Sequence, residues 1–333
     1  MWFSKTQQPT VQKDSSGILA VLQSNGITLS IEELLQYQNK TALIDLAASK
    51  DLHGHMSGNY LARSKGRGME FDEVRHYQTG DDIRAIDWRV TARTGKTHTK
   101  LFREEVERPV LITTDLSASM SFGSELLFKS VQAAHLAALV AWHAKSRGDR
   151  IGGIVFNQVK HLELKPRSRR AGVLHYLHAL TQLQQPIEAQ GPTSASDAEL
   201  VFEQNCTRIR QLARPGSLVY MITDGQHLNS EAIRHLTQVT RHCELVVCLI
   251  DDPLEVQLPG SQVKIPVALT DGLRRQYLTL GDAKTAEHYQ YQAQQASQQR
   301  KDLLAKAGAR LLSYSAAQTL ESQLKNGVTS WIR

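Results

Sequence analysis

Val110-Leu-Ile-Thr-Thr-Asp115-Leu-Ser117-Ala-Ser119-Met120 is an apolar run that ends in a carboxylate followed by two hydroxyls at alternate positions. A short, continuously apolar run with turn residues at its end reads as a strand buried on both faces. Working outward, a helix rich in Ala and Leu is expected over about 125–147, closed by Gly148. Residues 150–156 and 159–164 read as strands around an Asn157-Gln158 turn, and helical stretches follow at about 170–184 and 197–213. Ser217-Leu-Val-Tyr-Met-Ile-Thr-Asp224, a helix near 230–240 and Leu245-Val-Val-Cys-Leu-Ile250 repeat the order strand, helix, strand. After one or two edge strands before 280, a Gln-rich helix over about 283–307 leads to a last strand at 309–314. Such alternation specifies an α/β fold, a doubly wound, mostly parallel sheet with helices on both faces. In that architecture ligands bind at the carboxyl ends of strands, where Asp115 and Asp224 lie.

The flanks differ in style. Residues 1–49 read as a polar tail and short helices, with Ser30 and Glu33 spaced as a capping box. Residues 50–108 read as a small, strand-rich α+β subdomain, in which Ile86, Trp88 and Val90 alternate as one apolar face with Trp88 as the anchor. The sheet domain is expected over 109–315 and a C-terminal helix or tail over 316–333.

Composition bounds the function. The 333 residues carry 39 Lys+Arg against 33 Asp+Glu, a net charge of only +6. Between Arg63 and Arg108, eleven basic and nine acidic residues make a surface of mixed sign, which argues against a nucleic-acid track. The densest basic run, Lys165 to Arg170, reads as a solvated loop and helix start, with DNA binding as the alternative. Three cysteines without a C-x-x-C pair fit a reducing compartment. With neither a signal-peptide pattern nor a membrane-span run, a soluble cytoplasmic protein is expected.

Asp115, Ser117 and Ser119 on one tight loop can aim three oxygens at a point, and Asp224 adds a second carboxylate at the same sheet edge. Hard divalent cations take oxygen ligands, so Mg²⁺ or Mn²⁺ is the expected occupant. The plainer alternative is that Ser117 or Ser119 caps the next helix while Asp115 holds the loop. His53 with His55, and His175 with His178, lack a convincing third ligand for zinc. Neither G-x-S-x-G nor a phosphate-cradling G-x-x-x-x-G-K-[ST] run is present, so any ATP hydrolysis belongs to a partner.

The Asp115–Met120 loop resembles the metal-ion-dependent adhesion site of von Willebrand factor A domains, whose pattern is D-x-S-x-S, a later Thr, and a further Asp after another strand. The resemblance implies a metal held by Asp115, Ser117, Ser119, Thr193 and Asp224, and completed by a carboxylate from a bound protein. Thr193 follows Pro192 where the family has Gly, and Ser194 or Ser196 could serve in its place. A second resemblance covers about 50–315. Gly66-Arg-Gly-Met-Glu-Phe-Asp-Glu-Val-Arg75, Tyr77-Gln-Thr-Gly-Asp-Asp-Ile-Arg84, Ile86-Asp-Trp88 and Thr91-Ala-Arg93 are similar to the signature of the bacterial domain of unknown function 58 family. That resemblance implies a non-enzymatic adaptor that couples a MoxR-type AAA+ ATPase to a client protein. The charges from Asp81 to Arg93 read as a salt-bridged scaffold in preference to an ATPase-docking surface. The competing enzyme class is a magnesium phosphohydrolase with Asp115 as nucleophile, and it lacks a second acidic residue at position 117.

Overall fold

The computed structural model describes residues 15–44, 69–104, 108–184, 194–261, 263–270 and 275–325. The chain divides into two units, one made of Met1–Ala48 with Arg108–Arg333 and the other of Ser49–Glu107.

The larger unit opens with two helices, α1 (Ser15–Leu22) and α2 (Ile31–Leu35). Ser30 caps α2 and the Glu33 side chain returns to the Ser30 backbone, completing the box that the sequence spells. This segment is not merely an appended tail, because Leu34 of α2 and Tyr37 just after it are buried within the main core.

In the smaller unit, β1 (Met69–His76) pairs antiparallel with β2 (His98–Glu104). Between them lies the helix α3 (Trp88–Thr94). The strand expected through Ile86, Trp88 and Val90 is therefore corrected to a helix. Asp87 accepts hydrogen bonds from the Arg89 and Val90 amides as N-cap, and Gly95 closes α3 in the left-handed conformation. Local capping thus outweighs a three-residue alternation. Trp88 is 67% exposed and so is not the buried anchor expected. Arg75 pairs with Asp81 at 2.7 Å and Lys100 with Asp87 at 3.6 Å, so part of the signature's charge is spent inside the unit.

The sheet of the larger unit is built from β3 (Pro109–Asp115), β4 (Arg150–Phe156), β5 (His161–Arg167), β6 (Leu218–Thr223), β7 (Glu244–Asp251) and β10 (Arg310–Ser315). Its order is β10-β7-β6-β3-β4-β5, with every pair parallel except β4 and β5. Side chains alternate between the two faces as a pleated strand requires. Val110 and Ile112 of β3 face one core with α4 (Lys129–Ser146) and α5 (Arg169–Leu183), whereas Leu111 faces the other. That second core is covered by α6 (Ala195–Leu212), α7 (Ser230–Thr240) and α9 (Ala283–Lys306). The result is a Rossmann-like α/β arrangement.

Two expectations shift. Helix α4 begins at Lys129 and not near 125, because the Leu127 and Phe128 amides donate to the Ala316 and Gly26 carbonyls at 3.1 and 2.8 Å, while Ser124 is held by Asp252 through its amide at 2.8 Å and its hydroxyl at 2.5 Å. The pair β8 (Ile265–Thr270) and β9 (Arg275–Leu280) forms its own antiparallel ribbon and does not join the main sheet as edge strands. A short helix, α8 (Pro253–Val256), follows β7, and α10 (Leu320–Lys325) ends the described chain.

Strand order locates the crevice. The chain leaves β3 toward β4 and β5 on one side, then crosses back to lay β6, β7 and β10 on the other. The switch point is therefore between β3 and β6, where adjacent loops depart in opposite directions and leave a gap at the carboxyl edge.

Candidate metal-binding site

At that switch point β3 ends in Asp115 and β6 ends in Thr223, with Thr114 and Ile222 in register across the pair. Asp115 and Asp224 are both buried, at 1% and 5% exposure. Asp115 accepts the Ser117 amide at 2.9 Å on one oxygen and the Thr223 hydroxyl at 2.8 Å on the other. The Ser117 and Ser119 hydroxyls lie 3.3 Å apart, and Ser119 helps to lower the Asp224 pKa. Of the residues expected from the sequence, Asp115, Ser117, Ser119 and Asp224 thus share one site.

The hydroxyl of the middle loop is different. Thr193 lies outside the described residues. Ser194 is the N-cap of α6, accepting the Asp197 amide at 3.1 Å. Ser194 also bonds to Ser196 at 2.9 Å and to Asp197 at 2.6 Å, so both serines are engaged at the helix start. The sequence reading missed Thr223, whose only signal was its place just before Asp224 at the end of an apolar strand.

A second missed residue is Lys129, at the first position of α4 and fully buried. Its ammonium donates to Asp224 Oδ2 at 2.9 Å and to Glu255 Oε1 at 2.6 Å. Gln226 donates its side-chain amide to the same Glu255 oxygen at 2.9 Å and its backbone amide to Asp224 Oδ1 at 3.1 Å. Glu255 and Asp252 form the capping box of α8, and this Asp252 is the one that holds Ser124.

Electrostatics separates the two carboxylates. Burial raises the Asp115 pKa, and the neighbouring Asp224 charge raises it further, beyond what its hydrogen bonds offset. Burial would raise Asp224 too, yet the Lys129 charge brings it below the ordinary carboxylate range. For Lys129 burial alone would lower the pKa, and the charges of Asp224 and Glu255 reverse that into a rise. The site therefore holds one compensated carboxylate beside one that lacks a cationic partner in its hydrogen-bond shell. An all-oxygen donor set with an unneutralised carboxylate has the chemistry of a hard divalent cation. Among the described residues no cluster of three or more His, Cys, Asp or Glu is placed to hold a metal, so any ion here depends on the hydroxyls. His175 and His178 are exposed on α5, and His53 and His55 lie outside the described residues.

A family model described as Protein of unknown function DUF58 matches residues 73–301. The chain belongs to the DUF58 family. This DUF58 protein is 28% identical over 219 residues to the uncharacterized proteins Mb1516 of Mycobacterium bovis and Rv1480 of Mycobacterium tuberculosis, covering 65% of each chain. It thus spans less than two thirds of the length of these relatives. Among solved structures it is similar to BatB of Bacteroides thetaiotaomicron, with 13% identity, a TM-score of 0.31, and coverage of 60% of this chain and 98% of that one. It is also similar to an aerotolerance-related membrane protein of Bacteroides fragilis, with 14% identity, a TM-score of 0.35, and coverage of 67% and 98%. Against the cytoplasmic location expected from the sequence stands the description of that Bacteroides fragilis structure as one of a membrane protein. No helix among the described residues is long and apolar enough to cross a membrane.

Proposed function

We propose that this DUF58 protein is a metal-dependent protein-binding adaptor of von Willebrand factor A type. The observation that carries the reading is the pairing of buried Asp115 and Asp224 with the Ser117 and Ser119 hydroxyls at the switch point of the sheet. Asp115, Ser117, Ser119 and Asp224 would hold Mg²⁺ or Mn²⁺, with Thr193 as the further hydroxyl. A bound ion supplies an unsaturated positive centre at the sheet edge, able to accept a carboxylate from a protein partner. The chain's own residues orient that centre: the Ser117 amide and Thr223 hydroxyl fix the Asp115 carboxylate, and Lys129 with the Gln226 amide fixes Asp224. The partner proposed from the family resemblance is a MoxR-type AAA+ ATPase together with the client it acts on.

Isothermal titration tests the metal step directly. Wild type is expected to bind Mg²⁺ and Asp115→Ala is not; heat-silent titrations of both would sink the reading. A pull-down of the ATPase and client with wild type and Asp115→Ala, each in Mg²⁺ and in chelator, tests the adaptor step. Capture that ignores both the substitution and the chelator would detach partner binding from the site.

A further inference from the structure

Lys129 is unusual on three counts. It is completely buried, although a lysine ammonium is among the groups least often found so. It occupies the first turn of α4, where the helix dipole disfavours a cation, and α4 has no side-chain N-cap to offset that. It also contacts two carboxylates of different environment: Asp224 is 2% exposed at its side chain, whereas Glu255 is 28% exposed. A purely structural ion pair needs one acid. Here the second acid lies on the wetter side and is held in place by Gln226 and by the α8 capping box.

We propose that Lys129 is an internal counter-cation of the Asp115/Asp224 site, which occupies Asp224 while no ion is bound and yields it to a divalent cation by leaning on Glu255. The proposal rests on the metal-site reading above and adds what sets the strength of ion binding. Two carboxylates, Asp224 and Glu255, contact the one ammonium, and Asp115 stands beside Asp224. A divalent ion at Asp115 and Asp224 is repelled by that ammonium, and Glu255 screens the repulsion. Lys129 thereby keeps the ion-free site folded and holds its affinity for the ion down, so that a partner's carboxylate is needed for tight occupancy.

The test compares Mg²⁺ binding by titration calorimetry and Mg²⁺-induced thermal shifts for wild type, Lys129→Met and Glu255→Gln. Lys129→Met is expected to melt lower without Mg²⁺, to bind Mg²⁺ about tenfold more tightly, and to show a larger Mg²⁺-induced rise in Tm. Glu255→Gln is expected to bind Mg²⁺ several-fold more weakly, because the ammonium then rests wholly on Asp224. A strut that merely positions Asp224 would weaken binding in both variants, and that outcome overturns the proposal. Should Lys129→Met not fold by circular dichroism, unchanged affinity in Glu255→Gln overturns it alone. Absence of binding in wild type and Lys129→Met alike would fell the metal reading itself, a result distinct from either.

Discussion

Asp251 shows how burial at the carboxyl edge of the sheet becomes a pH dependence. Desolvation, then the Glu255 charge, pushes its carboxyl up to about 6. A raised acid pKa means that the folded state favours the protonated form, so stability is full below pH 4 and falls as pH rises from about 4 to 6. Asp251→Asn is therefore expected to gain on the order of 2 kcal/mol at pH 7.5 and nothing at pH 3.5, as read from urea unfolding at the two pH values. Thr223→Val removes the hydroxyl that donates to Asp115 and leaves a buried carboxylate oxygen short of a partner. It should cost about 1–3 kcal/mol by chemical denaturation and weaken Mg²⁺ binding as well. Sequence pattern revealed Asp115, Ser117, Ser119 and Asp224 because they stand where apolar strands stop. It could not reveal Lys129, since a lysine opening a helix ordinarily faces water. Its burial depends on Asp224 and on Glu255, 95 and 126 residues later.

Elements carry constraints that single contacts do not. Gly153 in β4 has φ of +141°, and a Cβ there would stand 1.9 Å from the Ile112 carbonyl oxygen of β3. Gly153→Ala forces apart two central strands and should cost more than about 3 kcal/mol, measurable as a lowered urea midpoint or as loss of soluble protein. The strands were legible because each alternates or runs apolar within a single element. The strand-like pattern at Ile86, Trp88 and Val90 misled because it covers only three positions, and the Asp87 cap decides such a short segment. The β8–β9 ribbon was misplaced for another reason: an apolar strand does not disclose which partner it pairs with.

For the larger unit as a whole, the N-terminal helices are part of the fold. The Trp142 indole donates to the Leu34 carbonyl at 3.3 Å, and His143 meets the Thr41 carbonyl at 2.9 Å, so α4 is covered on that side by residues more than a hundred positions earlier. Leu34→Ala should lower stability by about 3 kcal/mol in a denaturant titration, as a core truncation would and a tail substitution would not. That packing was hidden in the sequence because the segment is short and polar overall; its few apolar residues gain meaning only beside α4.

The order β10-β7-β6-β3-β4-β5 also has a consequence in time. As the chain leaves the ribosome, β3 can pair with β4, and β4 with β5, within about sixty residues, and contacts of short sequence separation form fastest. The opposite flank of β3 stays bare until β6 arrives, and Thr223 reaches Asp115 only across a separation of 108 residues. The two acids of the switch point therefore meet late in folding. Until then a half-made sheet with an open edge is exposed to aggregation.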